Sequence, residues 1–461
     1  MEFASRSPGR PAIDGQSLAI IGADVVVMDE VRRLDIGIAD GRICELAPTL
    51  QQRYAHTLHA RGLCALPGLI DTQVHLREPG LEHKEDLVSG SNAAAAGGVT
   101  TFFEMPNTKP ATTTVQAWQD KLHRAAGRSR VDFAFYAGAT AQNAKEIASL
   151  EGKSGYAGTK IFMGSSTGSL LVAGDADIKI LLQNGRTRVA VHAEDEDRLR
   201  LLQRTVCGRQ PHDHPDRRDP QTAEMAVRRL LDLSMETMRP VHVLHVTSAD
   251  ECGLLRRHPA RRLATAEVTP QHLLLSAPDC YDRLGNLAVM NPPIRDEQHR
   301  LALWQALQDG VLTLIGTDHA PHTLAEKARP YPDCPSGMPG LQTLLPLLLN
   351  EVARGTCSLA QVVRWTSQRP AQVFQVIGKG GLVPGLDADI TLVDLQLRQE
   401  LTPNQVFSRC GWSPFLGQKL TGWPKMTFVR GNLVYADGQL VGAPIGKAVK
   451  LGPVLSIVPP S

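Results

Sequence analysis

Several features that would define other classes of protein are missing from this sequence of 461 residues. Lys and Arg number 49 against 47 for Asp and Glu, and a formal charge of +2 is too small to direct binding to nucleic acid or to an anionic membrane. The apolar run Leu344 to Leu349 is interrupted by Pro346 and falls far short of the ~20 residues that span a bilayer. We therefore expect small-molecule partners, with no nucleic acid and no membrane.

Markers of secretion and of zinc-ribbon or redox chemistry are also missing. Residues 1–12 are basic and rich in proline without an apolar stretch, which does not fit a secretory signal. The 8 cysteines never occur in C-x-x-C spacing, which argues against a zinc ribbon or a redox motif. Hydrophobic residues at 42% and charged residues at 21% lie near globular averages. These patterns predict a globular, cytoplasmic protein with reduced cysteines.

The two ends of the chain carry β-patterns. Residues Ser17 to Leu46 alternate apolar and polar side chains around a turn signal, as a β-hairpin does. Near the other end, Asp389 to Val393 and Met426 to Val434 are strand candidates. We expect the two ends, residues 1–65 and 376–461, to pair into one small β-sandwich domain.

Between the ends, short β-branched runs alternate with longer segments of helical period such as Gln298 to Gln308, which is the pattern of β-α units around a parallel sheet. Eight such runs predict an α/β fold, a (β/α)8 TIM barrel over residues 66–375, since such a barrel needs about 250 residues. An open doubly wound sheet is the alternative, but no Gly-rich phosphate loop follows the first run. The predicted strands are Leu69 to Leu76, Val99 to Met105, Phe133 to Ala139, Thr159 to Met163, Val189 to Ala193, Val241 to Val246, Thr265 to Val268 and Leu312 to Gly316.

Polar residues stand at the carboxyl ends of several predicted strands, which converge on one mouth of such a barrel. Gln73 and His75 are two residues apart, so both side chains lie on the same side of the first strand. Imidazole and carboxylate are ligands that zinc prefers, and packing alone gives no reason for their convergence. The other residues of this kind are Lys160 in strand four, His192 in strand five, His245 in strand six and Asp318 after strand eight.

Lys160 requires a separate explanation. An ammonium group beside divalent cations would be strongly repelled, so a lysine in this place must be neutral or chemically converted. Carbamylation by carbon dioxide would turn it into an anionic ligand that bridges two ions.

Two other groups of histidines are expected to be structural. His242 is an odd number of residues from His245, so on a regular strand it faces the helices rather than the mouth. The motif His212-Asp213-His214 lies in a segment crowded with Pro, Asp and Arg, which is typical of a surface loop.

The motifs around these residues resemble those of the amidohydrolase superfamily, and within it the dihydroorotases of the long bacterial type. The likeness runs from about Leu66 to Asp394. Its motifs are HLREPG (His75 to Gly80), EMPNT (Glu104 to Thr108), GTKIFMG (Gly158 to Gly164), HAED (His192 to Asp195), NPPIR (Asn291 to Arg295) and TDHAPH (Thr317 to His322).

The resemblance implies a zinc-dependent enzyme that hydrolyses a cyclic amide, reversibly converting (S)-dihydroorotate to N-carbamoyl-L-aspartate in pyrimidine biosynthesis. It implies one or two zinc ions with carbamylated Lys160 as a bridge, and Asp318 as the group that takes a proton and returns it to the leaving nitrogen. We expect a homo-oligomer, with aspartate transcarbamoylase as a further partner. By the same resemblance the metal ligands are His75, Lys160, His192, His245 and Asp318, and the substrate contacts are Arg77, Asn107 and His322 for the carboxylate and Asn291 for the ring.

Gln73 departs from this pattern, because the usual first strand of the family carries His-x-His. A glutamine amide oxygen is a weak neutral ligand for zinc, so one metal position is weakened.

Two other functions remain open. A hydantoinase or allantoinase-like cyclic amidase would use the same metals, although Arg77 would have little use on an uncharged hydantoin. A non-catalytic dihydroorotase-like subunit that supports aspartate transcarbamoylase would fit Gln73, although a scaffold has no need for a desolvated cluster of charges.

Overall fold

Two sheets organise the protein, whose computed structural model describes residues 17–27, 29–166 and 170–453. One sheet is built from both ends of the chain and the other from its middle. In chain order the strands are β1 (Ser17–Val27), β2 (Glu30–Ala39), β3 (Arg42–Ala47), β4 (His56–His59), β5 (Cys64–Pro67), β6 (Leu69–Val74), β7 (Val99–Glu104), β8 (Asp132–Gly138), β9 (Tyr156–Phe162), β10 (Val189–His192), β11 (Val241–Val243), β12 (Ala264–Val268), β13 (Leu314–Ile315), β14 (Ile390–Glu400), β15 (Lys419–Val429), β16 (Asn432–Ala436) and β17 (Gln439–Leu440).

The middle of the chain forms a parallel barrel in which β6 to β13 are neighbours in chain order. The barrel closes where the end of β6 meets the segment after β13. Val74 forms a parallel bridge with His319, and the His75 backbone N–H donates to the His319 carbonyl over 2.7 Å. Each predicted barrel strand overlaps one of these strands, so the predicted barrel is confirmed. Because the strands all run in the same direction, their carboxyl ends meet at one mouth.

The nine-stranded sheet joins the two chain ends, as predicted from their β-patterns. Its order is β17-β16-β15-β14-β5-β1-β2-β3, with β4 paired to β1. The seam between the ends is the antiparallel pair of β5 and β14, in which Pro67 lies opposite Ile390. Buried residues such as Ile20, Ile36 and Phe428 form its own apolar core.

Helices connect the barrel strands and cover their outer face, which fits the sequence pattern of alternating strand and helix. None of the helices in the described residues is long and apolar enough to cross a membrane. The α-helices are α1 (Leu87–Ala96), α2 (Val115–Ala125), α3 (Ala144–Ala148), α4 (Asp175–Gln183), α5 (Glu196–Thr205), α6 (His214–Arg217), α7 (Pro220–Thr237), α8 (Ala249–Arg257), α9 (Pro270–Leu274), α10 (Asp279–Leu284), α11 (Glu297–Gln308), α12 (Leu324–Lys327), α13 (Leu344–Arg354), α14 (Leu359–Val363) and α15 (Arg369–Phe374), with a π-helical turn at Arg364–Gln368 between the last two.

Buried side chains fill the barrel interior below the mouth. Phe374 of α15 lies with its ring centroid 5.4 Å from that of Phe103 and 6.5 Å from that of Tyr136. His242 packs against the same Phe374 ring at 5.3 Å, and its Nε2 lies 3.0 Å from Glu267 Oε2. His242 therefore faces the barrel interior, and the prediction that it faces the helices is wrong. Polar groups at the strand ends are left to face the mouth.

Candidate metal and substrate site

One pocket at the barrel mouth brings together the predicted site residues from separate strands. His322 is the exception, since it lies one layer further out, against Arg77. The pocket also contains Phe162, Ser166, Ala320, Ser336 and Gly337, which the sequence did not single out. The predicted residues that line it are Gln73, His75, Arg77, Asn107, Lys160, His192, His245, Asn291 and Asp318.

Three of these residues have a backbone conformation that is rare outside glycine. Arg77 has a φ of 64°, His245 of 39° and Asp318 of 45°. Each follows a barrel strand by two or three residues, so the chain turns sharply as it leaves the sheet. A conformation of this kind costs roughly 1–3 kcal/mol and persists where the surrounding structure enforces it. The turn at His245 also breaks the regular alternation of side chains, which explains why the facing of His242 was predicted wrongly.

The first group of donor atoms is formed by Gln73, His75 and Asp318. His75 Nε2 and Gln73 Nε2 each lie 3.0 Å from Asp318 Oδ1. On the other side of the His75 ring, Nδ1 donates to Asn107 Oδ1 over 2.7 Å, which leaves the lone pair of Nε2 directed at the carboxylate. Two electron-pair donors that face each other in this way are stabilised by a cation between them.

The second group is the pair His192 and His245. His192 Nδ1 lies 3.0 Å from His245 Nε2. The other nitrogen of His192, Nε2, lies 2.9 Å from Glu194 Oε2, and Glu194 also accepts hydrogen bonds from Arg218. Burial acts to raise the pKa of Glu194, but Arg218 and His192 hold it below its usual range. Glu194 therefore stays ionised, and its charge favours a proton on the nearby Nε2 of His192, which leaves the lone pair on Nδ1.

The histidines of both groups are neutral. Burial lowers the pKa of His75 and of His192, and lowers that of His245 well below its usual value. Neutral imidazole is the form that binds a metal ion.

Lys160 lies within electrostatic reach of both groups. Its charge lowers the pKa of His192 and of His245, while Asp318 favours the charged form of the lysine. Burial nevertheless dominates and lowers the pKa of Lys160 to about 7. Its Nζ is buried 4.4 Å from the Phe162 ring centroid and forms no hydrogen bond with the described residues. A substantial fraction of this amine is therefore neutral near neutral pH.

The donor atoms fit a metal centre only when Lys160 takes part. Within residues 17–27, 29–166 and 170–453, no three His, Cys, Asp or Glu side chains form a group that could hold an ion. The first group supplies a histidine and a carboxylate, the second supplies two histidines, and Lys160 interacts electrostatically with members of both. Gln73 Oε1 and His245 Nδ1 are also buried without a hydrogen bond to any described residue. An anionic group on Lys160 would complete the ligand sets of both groups of donor atoms.

Arg77 is the cationic side chain of the pocket. It is buried, its Nε donates to the Pro321 carbonyl over 3.2 Å, and burial lowers its pKa to about 10, so it remains charged at neutral pH. Its Nη2 lies 3.3 Å from His322 Nε2. His322 is fully buried, with Nδ1 3.1 Å from Lys84 Nζ and Nε2 3.0 Å from the Ser336 carbonyl. The Ser336 carbonyl can only accept a hydrogen bond, so His322 Nε2 carries the ring proton, and His322 packs against Arg77 without accepting a hydrogen bond from it.

Three supporting residues were not identified from the sequence. Glu194 lies in the HAED motif, so its position beside His192 was a signal that could have been used. Arg218 and His214 come from the segment predicted as a surface loop, and for His214 that prediction is wrong, because its side chain is buried and hydrogen-bonded to Asn291. His212 of the same motif does point to solvent.

Comparison with known proteins agrees with the barrel fold. Residues 64–434 match the model of the amidohydrolase family. The chain therefore belongs to the amidohydrolase family. Among its curated relatives is a dihydroorotase of Halobacterium salinarum, 40% identical over 84% of this chain and 89% of the relative. A dihydroorotase of Methanothermobacter thermautotrophicus is 34% identical over 90% of this chain and 94% of the relative.

Solved structures with the same architecture include other cyclic amidases. An L-hydantoinase (dihydropyrimidinase) from Arthrobacter aurescens superimposes with a TM-score of 0.90 at 29% identity, covering 94% of this chain and 100% of the other. A dihydropyrimidinase from Brevibacillus agri superimposes with a TM-score of 0.89 at 26% identity, covering 95% of this chain and 100% of the other.

Proposed function

We propose that the protein is a zinc-dependent dihydroorotase, which reversibly hydrolyses (S)-dihydroorotate to N-carbamoyl-L-aspartate in pyrimidine biosynthesis. The observation that carries the proposal is the buried guanidinium of Arg77 in the same pocket as the two groups of metal-type donors. A planar guanidinium matches a carboxylate through two parallel hydrogen bonds. The substrate carries a carboxylate beside its cyclic amide, and the dihydroorotases among the relatives support this choice.

The amidohydrolases are generally metal-dependent enzymes, and the residues at this mouth fit one or two zinc ions. His192 and His245 would hold one ion, His75 and Asp318 the other, and carbamylated Lys160 would contribute to both. When bound, zinc polarises the scissile carbonyl and brings the pKa of a bound water close to neutral. The lowered pKa of Lys160 supports carbamylation, because only a neutral amine attacks carbon dioxide.

The side chains of this protein then have separate tasks. Arg77, assisted by Asn107, holds the substrate carboxylate, and the buried His322 packs against the Arg77 guanidinium. Asp318, whose Oδ1 lies within 3.0 Å of both Gln73 and His75, accepts a proton from the attacking water and returns it to the ring nitrogen that leaves. Asn291 contacts the ring.

Two alternatives receive support from particular observations. The structural likeness to the hydantoinase and the dihydropyrimidinase favours a hydantoin-type substrate, but an uncharged ring would leave the buried Arg77 without a partner. Gln73 favours a non-catalytic subunit that assists aspartate transcarbamoylase. That function would give no reason for the ordered set of donors around Lys160. A homo-oligomer and a cytoplasmic location are part of the proposal.

A comparison of substrates tests it. Purified protein is assayed with dihydroorotate, hydantoin and allantoin, together with the variant Arg77→Lys. We expect turnover of dihydroorotate and a KM for it raised roughly tenfold in Arg77→Lys, because an ammonium cannot form the paired hydrogen bonds. Lys84→Arg, which keeps a cation beside His322, is the matched control. Preferential hydrolysis of hydantoin, or an unchanged KM in Arg77→Lys, would contradict the assignment.

A further inference from the structure

The geometry points to His214 as a positioning residue, one that turns the side-chain amide of Asn291 so that its N–H group faces the substrate. The inference rests on the proposed function, because the group that this amide meets is a carbonyl oxygen of the cyclic substrate. Three features lead to it: the burial of His214, the groups that its two ring nitrogens meet, and the direction of the Asn291 amide.

The two histidines of the segment before α7 differ in their exposure to solvent. The His212 side chain is 55% exposed, whereas His214, the first residue of α6, is only 6% exposed as a residue. His214 packs edge-on against Tyr331, with the two ring centroids 5.7 Å apart. A buried polar ring of this kind has to satisfy both of its nitrogens.

The neighbours of His214 determine which nitrogen carries its proton. Nε2 lies 3.0 Å from the Met290 carbonyl oxygen, which can only accept a hydrogen bond, so Nε2 is the protonated nitrogen. Nδ1 lies 3.1 Å from the Tyr331 hydroxyl and accepts from it. Burial lowers the pKa of His214 to about 3, so at neutral pH the ring has this one proton and no positive charge.

The protonated nitrogen then determines the direction of the Asn291 amide. His214 Nε2 lies 3.0 Å from Asn291 Oδ1, and an N–H group can only pair with the oxygen of the amide. The Asn291 nitrogen is therefore turned away from His214 and lies 3.4 Å from Ser166 Oγ. Asn291 and Ser166 both line the substrate pocket. A reversed amide would place an NH2 group against an N–H group and lose the hydrogen bond.

The fixed direction of the Asn291 amide determines which substrate group it can bind. Its N–H group pairs with an acceptor, which in a cyclic amide is the ring carbonyl that is not cleaved. A ring N–H in that place would leave two donors facing each other, which is costly in a desolvated pocket. With Arg77 on the carboxylate and Asn291 on this carbonyl, the ring is held at two points and cannot turn over.

Kinetics of His214→Phe test the inference, because phenylalanine keeps a ring of similar size and removes both nitrogens. We expect the KM for dihydroorotate to rise roughly three- to tenfold, the range of one neutral hydrogen bond, with a smaller change in kcat and unchanged zinc content. His214→Gln, whose amide can both donate and accept, should recover part of the KM. His212→Phe, in the same segment, is the matched control and should leave the KM unchanged.

A double-mutant cycle distinguishes positioning from a purely structural role. If His214 acts through Asn291, the double variant His214→Phe/Asn291→Ala has the same KM as Asn291→Ala alone. A residue that merely supports the fold would instead give additive losses that follow the melting temperature. Additive effects on KM, or a His214→Phe variant with wild-type KM, would overturn the inference.

The wild-type assay separates this inference from the proposed function. If the protein hydrolyses hydantoin rather than dihydroorotate, the proposed function fails, yet the same cycle can be run with hydantoin because that ring also presents a carbonyl. A wild-type protein that hydrolyses none of the cyclic amides tested would overturn both.

Discussion

The two groups of metal-type donors at the mouth are similar in ligand chemistry and different in what supports them. Behind His192 lies an ionised carboxylate, Glu194, which is itself paired with Arg218. His75 is instead paired with the neutral amide of Asn107, and the next ligand position on this side is the amide of Gln73. A carboxylate behind a histidine raises its basicity and fixes its tautomer more strongly than an amide does. The difference predicts one tight and one weak metal position in the same pocket.

Removing the side chain of Lys160, which both groups of metal-type donors would share, should have the largest effect on zinc binding and activity. We expect Lys160→Ala to lose bound zinc and nearly all activity, because each side then has too few ligands, and a bound metal contributes several kcal/mol to the transition state. Metal analysis and turnover measure the two losses, and added short carboxylic acids should restore part of each.

A second buried lysine provides the control. Burial also lowers the pKa of Lys327 to about 7, but Lys327 does not line the pocket, and its Nζ donates to the backbone carbonyls of Val289, Pro335 and Gly337. Lys327→Ala should lower the melting temperature and keep the zinc. Full zinc content in Lys160→Ala would refute the carbamate bridge.

Asp318→Asn should affect chemistry more than folding. We expect kcat to fall roughly 10²-fold or more, because a carboxamide cannot accept the proton from water. Asp309→Asn, at an exposed ion pair with Arg256, is the control and should remain active. The assignment of Asp318 fails if the variant turns over at close to the wild-type rate.

Glu194→Gln tests whether the carboxylate beside His192 strengthens the metal position that we expect to be tight. The change keeps the size of the side chain but removes the charge that fixes His192, and a loss of this kind weakens metal affinity roughly 10- to 100-fold. Competition with a chelator measures it. Glu251→Gln, a buried glutamate that caps α8 through Ser248, is the matched control. Equal zinc retention in the two variants would mean that the two sides do not differ for this reason.

The barrel and the residues that lie at its mouth could be predicted from the sequence for a physical reason. Parallel strands of a closed barrel direct their carboxyl ends to one place, so His75, Lys160, His192 and Asp318 could be brought together without knowing any distance. The pattern of strand and helix repeats locally, and local patterns can be seen in a single sequence.

What could not be predicted depends on contacts between distant segments. The burial of His214 is created by Met290 and Tyr331, and the pairing of Glu194 with Arg218 joins a strand end to a loop. The orientation of His242 was predicted wrongly because the positive φ of His245 ends the alternation of the strand. None of these features has a periodic signal.

The last prediction concerns Gln73→His, a variant that would make the ligands of the two groups of donors more alike. Gln73 Nε2 donates to Asp318 Oδ1 over 3.0 Å, and this amide replaces the imidazole that the weaker side would otherwise contribute. We expect wild-type protein dialysed against metal-free buffer to keep about one zinc per chain, and Gln73→His to move toward two. Turnover should change little, because a single zinc already brings water close to a neutral pKa. Gln73→Asn, which keeps an amide, is the control. If the wild type is inert with one zinc and Gln73→His gains dihydroorotase activity, the native protein acts as a non-catalytic subunit and its weaker side has lost its function.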